Sequence, residues 1–299
     1  MPIHGQLAAL LRAVVLSRAV PMEPMRLTKD LIIVHAGPRS LHPTWLDHGK
    51  ARNWDLFICP YEEVPPPPAG ATGLLVSQVI PGTKWGALKV LLQKWQGWRD
   101  YRYVMLADED LFATQDTWSR FFEKSAACGA KLAQPAFAED APYRHWLAVR
   151  NTEFTRRRVS CVEFATPCFR ADVLSELLAT FDLSTTGWGL DFLWGRQLDH
   201  KDLFVIDETP VISTRPFNLD RDPELHKTAQ ADLNRFMRDN KVPWLLKTFS
   251  GTHLSGPDIP ADHEVFLYRL FRGYERMFER NPKRVEEMFR LQLAPIPAK

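Results

Sequence analysis

An α/β domain built on a mostly parallel sheet is the fold class this sequence predicts, and three observations lead there. Short, continuous apolar runs recur at 31–36, 53–60 and within 101–111, the signature of strands buried on both faces. Between them stand stretches with apolar residues at helical spacing, so strand and helix alternate. Beyond Asn218 the texture changes to charge-rich helices.

The chain has 299 residues, enough for one large domain or two smaller ones, and 45% of them are hydrophobic, which supports a substantial core. Its formal charge is +2, from 38 basic and 36 acidic residues, so nothing in the whole-chain balance drives it to nucleic acid or an anionic membrane. Cys59, Cys128, Cys161 and Cys168 lack the close pairing of a zinc knuckle and the density of a secreted disulfide scaffold. They read as buried, reduced thiols.

Residues 6–19 form an expected amphipathic helix that Pro21 and Pro24 stop. That run is too short and too charged to span a bilayer and lacks a cleavage signature, so a cytoplasmic protein is expected. The globular domain is expected to start near Leu27, with residues 1–26 as helix and linker. Leu31–Ala36 ends in Gly37-Pro38, and the pattern repeats at Asn53–Pro60. Pro65–Pro68 then form a stiff, extended loop. Trp85, Leu88, Leu92 and Trp95 give Lys84–Trp95 an apolar helical stripe. Thr114 or Asp116 caps a following helix that carries Trp118, Phe121 and Phe122, and Gly129 ends it. Strands are expected at Lys131–Ala136, Val159–Phe164, Leu203–Asp207 and Val211–Ser213, with a helix over Ala171–Phe181. The helices Pro223–Asp239, His263–Arg280 and Pro282–Leu291 make residues 219–299 a helical region packed on the 27–218 core.

The chemistry centres on Tyr101–Leu111, YRYVMLADEDL, where an apolar strand runs into Asp108 and Asp110. Alternate side chains on an extended segment point the same way, so these two carboxylates can converge on one cation while Glu109 faces elsewhere. In open α/β sheets ligands bind beyond the carboxyl ends of strands, which is where the pair falls. A solvated turn explains the same residues. Farther on, Gly187-Trp188-Gly189-Leu190-Asp191 offers two glycines for close backbone approach, an indole face for a sugar ring, and a carboxylate able to act as general base. A Gly-rich turn with a core tryptophan and an acidic first helical turn is the alternative there.

The DED segment at Asp108–Asp110, Gln134-Pro135-Ala136, Val162-Glu163-Phe164-Ala165-Thr166-Pro167, GWGLDFLWG at Gly187–Gly195 and Val205-Ile206-Asp207 together resemble the family catalogued as domain of unknown function 707, over residues 28 to about 217. Those segments in turn resemble GT-A glycosyltransferases, which implies a GT-A-like, Rossmann-like mixed sheet flanked by helices. It also implies Mn²⁺ or Mg²⁺ on Asp108 and Asp110, and a nucleotide-sugar donor pocket that includes His35, Gly37, Arg39 and Lys84. The resemblance further implies acceptor contacts at Gly187, Trp188 and Gly189, with Asp191 as base. Arg150 or the Arg156-Arg157-Arg158 run could reach a phosphate, or simply face solvent. Relatives often carry a histidine after the last core strand where this chain has Ser213-Thr214, and His226 or His253 is a possible substitute ligand.

The expected activity is therefore a metal-dependent glycosyltransferase that inverts the anomeric centre, moving sugar from a nucleotide donor to an unidentified acceptor. Two alternatives use the same residues: a metal-dependent nucleotidyltransferase or phosphohydrolase, and a non-catalytic nucleotide- or sugar-binding module on a degenerate fold. Peripheral membrane contact through the terminal helices is a further option that ordinary packing explains equally.

Overall fold

The computed structural model describes residues 28–47, 49–63, 73–184, 186–215 and 223–296. The expected helix over 6–19, the proline loop at 65–68 and the expected boundaries near 27 and 218 lie outside the described residues.

The apolar runs form the strands their composition demands. β1 (Asp30–Ala36) and β2 (Trp54–Pro60) are buried along their whole length. They pair in parallel with each other, β2 with β3 (Leu74–Val76), and β1 with β4 (Tyr103–Ala107). The sheet then continues through β8 (Cys168–Arg170), β6 (Leu132–Phe137), β9 (Leu203–Ser213), β7 (Phe154–Val159), β10 (Thr248–His253) and β11 (Asp258–Pro260). β8 is antiparallel to both its neighbours, so β6 runs with β4, and β9 runs parallel to β6. β7 opposes both β9 and β10, and β11 opposes β10, while the short β5 (Leu111–Phe112) pairs antiparallel with the end of β9 off this path. The mixed, mostly same-direction sheet is thus interrupted by β8, β7 and β11.

Helices cover both faces. Along β1, Leu31 and Ile33 join the apolar cluster that holds Trp85, Leu88 and Leu92 of α1 (Lys84–Lys94). Ile32 and Val34 join the opposite cluster with Trp118, Phe121 and Phe122 of α2 (Gln115–Ala127). Period-two alternation in the strand meets period-3.6 stripes on the helices, which is the sandwich the pattern predicts. Thr83 and Thr114 cap these helices by accepting from Gly86 N–H and Thr117 N–H.

Several expected elements change. The strand expected over Val159–Phe164 ends at Val159, and residues 160–167 become an irregular connection that leads into the short β8. Leu203–Asp207 and Val211–Ser213 are one strand, with a register shift against Pro135 and Phe137. That irregularity accommodates Pro135, which has no N–H to give a regular ladder. The helix over Ala171–Phe181 divides into α3 (Ala171–Leu177) and a 3₁₀ turn, Leu178–Asp182. α4 covers Leu190–Gln197 and α5 Pro223–Asp239. Gly273-Tyr274 separates α6 (Phe266–Arg272) from α7 (Glu275–Arg280), and α8 spans Lys283–Leu293. The C-terminal region is helical as expected and also contributes β10 and β11 to the sheet. The four cysteines are free, with Cys59, Cys161 and Cys168 buried and Cys128 half-buried.

Candidate functional site

Four segments meet at the carboxyl edge of the sheet. Asp108–Asp110 follows β4, Gly37–Leu41 follows β1, Thr214-Arg215 follows β9, and residues 163–167 lead into β8. Asp108–Asp110 leaves β4 as a turn rather than as extended strand, and Glu109 in that turn ties these segments together. Its carboxylate accepts from Gly37 N–H (2.7 Å), the Tyr61 hydroxyl (2.9 Å) and Arg215 Nη1 (2.7 Å). Its carbonyl accepts from Leu41 N–H at 2.7 Å. A Cβ on Gly37 would overlap the Tyr61 ring, so only glycine allows this approach.

Asp110 is anchored through its backbone: its carbonyl accepts from Thr214 N–H (3.0 Å) and Thr214 Oγ1 (2.8 Å). Burial, reinforced by the charge of Asp108, pushes its carboxyl up to about 6. Asp108 Oδ1 receives the Lys84 ammonium at 2.6 Å, and the same ammonium donates to Phe164 O (3.0 Å) and Ala165 O (3.1 Å). Lys84 is therefore engaged by three acceptors. His35 Nε2 faces Ile80 O at 3.3 Å, and burial pushes the imidazole pKa down, which favours its neutral form. The sequence-predicted residues His35, Gly37, Arg39, Lys84, Asp108 and Asp110 thus belong to one edge, with Arg39 joined to it through its carbonyl and Arg215.

The donor chemistry at that edge is two carboxylates, the charge of Asp108 adding to burial in raising the proton affinity of Asp110, which suits a hydrated, oxygen-seeking divalent cation. Among the described residues no group of three or more His, Cys, Asp or Glu forms a closed metal site. Leu111 pairs with Ser213, so the end of β9 does abut the aspartates, with hydroxyl residues there. His253 lies elsewhere, 3.7 Å from Glu153 and bonded to Ser255. The imidazole of His226 lies outside the described atoms.

Across the 163–165 segment lies a cleft of about 420 Å³ lined by Trp188, Gly189, Asp191, His145, Arg144 and Trp244, among others. Phe164 belongs to both halves: its carbonyl holds Lys84, and its ring lies 4.3 Å beneath the Arg144 guanidinium. Arg144 also covers the Trp188 ring at 4.7 Å. Gly187 and Gly189 adopt φ of 85° and 91°. A Cβ on them would overlap Trp85 Nε1 and the Phe236 ring respectively, so their function includes tight packing of the loop on α1 and α5.

Asp191, in the first turn of α4, is 2% exposed. Its Oδ1 accepts from Phe192 N–H at 3.0 Å, and its Oδ2 lies 3.2 Å from His145 Nε2. Glu163 supports that histidine from behind, its Oε1 accepting from Arg144 N–H (3.2 Å) and His145 N–H (2.7 Å). The sequence reading did not find His145 or the role of Glu163. Burial works to lower the His145 pKa, yet Asp191 and then Glu163 outweigh it and hold the pKa above 6.5.

The arginine run is a correction. Arg157 is fully buried, paired with Asp207 through Nε–Oδ2 (2.9 Å) and Nη2–Oδ1 (2.8 Å), and bonded to Val149 O and Tyr274. Alternation along β7 sends it inward, away from either solvent or phosphate. Arg158 bonds Asp258 and Ser250.

No protein-family model matches the sequence, and no curated protein matches it. Among solved structures, the chain is similar to residues 1–349 of TarS from S. aureus, at 10% identity and a TM-score of 0.41, over 69% of this chain and 65% of that one. It is also similar to the mannosyltransferase PcManGT from Pyrobaculum calidifontis in complex with GDP-Man and Mn²⁺, at 13% identity and a TM-score of 0.47, over 79% and 73%. A third likeness is to GalNAc-T7 with UDP, GalNAc and Mn²⁺, at 10% identity and 0.41, over 72% and 55%. The chain spans less than two thirds of the TarS fragment and of GalNAc-T7. Among the described residues no helix is long and apolar enough to cross a membrane.

Proposed function

We propose that this protein transfers a sugar from a nucleotide-diphosphate donor to a hydroxyl acceptor. What supports the reading above all is Phe164, whose carbonyl binds the lysine that grips Asp108 while its ring walls the cleft containing Asp191. A donor at the carboxyl edge and an acceptor in the cleft would then meet across one short segment, as group transfer requires.

In this reading Asp108 and Asp110 would hold a divalent cation together with the donor diphosphate. The bound cation would supply neutralisation of the charge that grows on the departing nucleoside diphosphate. His35, Gly37 and Arg39 line the donor side, and Trp188 with its neighbours offers flat apolar faces suited to a sugar ring. Asp191 provides the negative charge needed when the acceptor hydroxyl loses its proton, and attack from the cleft opposite the leaving group inverts the anomeric centre.

Calorimetry with UDP- and GDP-sugars in Mn²⁺ tests the donor half. Binding should require Mn²⁺ and vanish in Asp108→Ala/Asp110→Ala, while Asp191→Asn should bind donor and turn over more slowly. Identical titrations for wild type and the double variant would sink the proposal. The hold of Lys84 on Asp108 favours one rival, a binding module without catalysis. Donor binding without release of nucleoside diphosphate, unaltered by Asp191→Asn, would establish that rival. Release of pyrophosphate would point to nucleotidyl transfer instead.

A further inference from the structure

We infer that His145, rather than the Asp191 carboxylate itself, takes the proton of the acceptor hydroxyl, and that Asp191 is the residue that positions it. This rests on the transfer reading above and assigns its base.

The case begins with the geometry of Asp191. Both of its oxygens are engaged, Oδ1 by the Phe192 N–H and Oδ2 by the imidazole, and the residue is 2% exposed. With one bond on each oxygen and only 2% of the residue exposed, this carboxylate presents little surface to a substrate. A carboxylate only accepts, so the 3.2 Å contact puts the imidazole hydrogen on Nε2 and leaves the lone pair on Nδ1. Among the described residues that nitrogen has no hydrogen-bond partner, and the ring lines the cleft.

The ring is also held in place. It meets Phe192 and Trp244 edge-on, at centroid distances of 5.2 and 6.0 Å, and those two rings stack on each other at 4.6 Å. Glu163 fixes the backbone by accepting from the N–H groups of both Arg144 and His145. The imidazole is therefore pinned by a carboxylate at one nitrogen, walled by two aromatic rings, and open to the cleft at the other, which is how a general base is oriented.

The step balances. The acceptor O–H bond breaks and its proton passes to Nδ1 as the oxygen forms its bond to the anomeric carbon. The bond from that carbon to the diphosphate oxygen breaks, and its electron pair leaves with the nucleoside diphosphate. Asp191 offsets the imidazolium charge until the proton passes to water in the cleft.

The titratable and charged groups facing His145 are Asp191 from α4, Glu163 and Arg144 from the adjoining segments, and Arg284 and Glu287 across the cleft on α8. A neutral imidazole is the working form, so turnover should climb with pH along a limb centred above 6.5.

The test reads nucleoside diphosphate release from UDP-glucose, UDP-galactose, UDP-N-acetylglucosamine and GDP-mannose with Mn²⁺ and methyl glycoside acceptors. His145→Gln and His145→Asn should lower kcat by about 10²–10⁴-fold while donor KM stays within about threefold. Asp191→Asn should move the limb to lower pH, a change that mere loosening of the fold does not produce. An active wild type whose His145 variants keep turnover within threefold and the same limb overturns the inference and leaves the transfer reading standing. A wild type that binds donor and releases no nucleoside diphosphate overturns both.

Discussion

The Phe164 carbonyl accepts from the Lys84 ammonium at 3.0 Å, while the Phe164 ring walls the aromatic cleft, so this one pair joins the carboxylate edge to the second candidate site. Lys84 is the staple in that joint, because it also holds Ala165 O and Asp108.

Lys84→Met keeps the unbranched stem of the side chain and removes the ammonium group. Two carbonyls and a carboxylate lose their donor together, and each unsatisfied group at a partly buried position destabilises the fold. Urea unfolding should report a loss of about 1–3 kcal/mol. Mn²⁺ should bind about tenfold more tightly, because a cation no longer competes beside the two aspartates. Unchanged stability together with unchanged Mn²⁺ affinity would show that the staple carries nothing.

The Arg157–Asp207 pair yields a second prediction. Both side chains are fully buried, and Asn151 N–H adds a 2.8 Å bond to Asp207 Oδ1. Truncating one member strands a charge in the interior, so Asp207→Ala should cost about 3–5 kcal/mol in chemical denaturation. Arg158→Ala, with its partly exposed partner Asp258, should lose under about 1 kcal/mol. Equal losses for the two variants would refute the buried role assigned to Arg157.

The two candidate sites differ in how far the sequence announced them. Asp108 and Asp110 were legible because an apolar run, buried throughout as β4, ends abruptly in three acidic residues. The Gly187–Asp191 turn was legible because glycine types mark positive φ. His145 and Glu163 carry no periodic signal; their pairing arises when residues 160–167 cross from β7 to β8, a path of contacts distant in sequence. β10 escaped for a related reason. It buries the polar residues Thr248, whose backbone pairs with Gln292, and Ser250, whose hydroxyl bonds Asp258, instead of following an apolar pattern. Arg157 misled because a cluster of three basic residues reads as solvated until alternation within a strand separates them.

Gly195 supplies a packing prediction. It lies inside α4, where alanine would normally stabilise a helix by about 1 kcal/mol. Here a Cβ would overlap the Ser160 carbonyl, which is backbone and unable to swing aside. Gly195→Ala should therefore lower stability by about 1–3 kcal/mol, the reverse of the helix-propensity expectation. A rise in the urea midpoint would mean that α4 shifts freely, in which case the Asp191–His145 contact is not rigidly held.

The last prediction concerns charge around His145. Burial alone would lower the pKa of this imidazole, but the hydrogen bond and charge of Asp191, followed by the charge of Glu163, raise it above 6.5. A histidine whose folded pKa is raised contributes stability that is fully present below about 6.5 and is lost as pH rises through the folded value. Glu163→Gln keeps the side-chain shape and an oxygen able to accept from the Arg144 and His145 N–H groups, but removes the carboxylate charge. The His145 pKa should fall in this variant, and the fall in unfolding free energy above pH 6.5 should become shallower. Burial also pushes the Glu163 carboxyl up from 4.5, so in wild type its own ionisation loses stability in the same direction as pH rises, and the glutamine removes that contribution too. Following the His145 ring proton by NMR from about pH 5 to 9 separates the two effects, because it reports the imidazole alone. A midpoint that stays where the wild type has it would mean that Glu163 acts on the backbone of residues 144 and 145 and not on the charge of the ring.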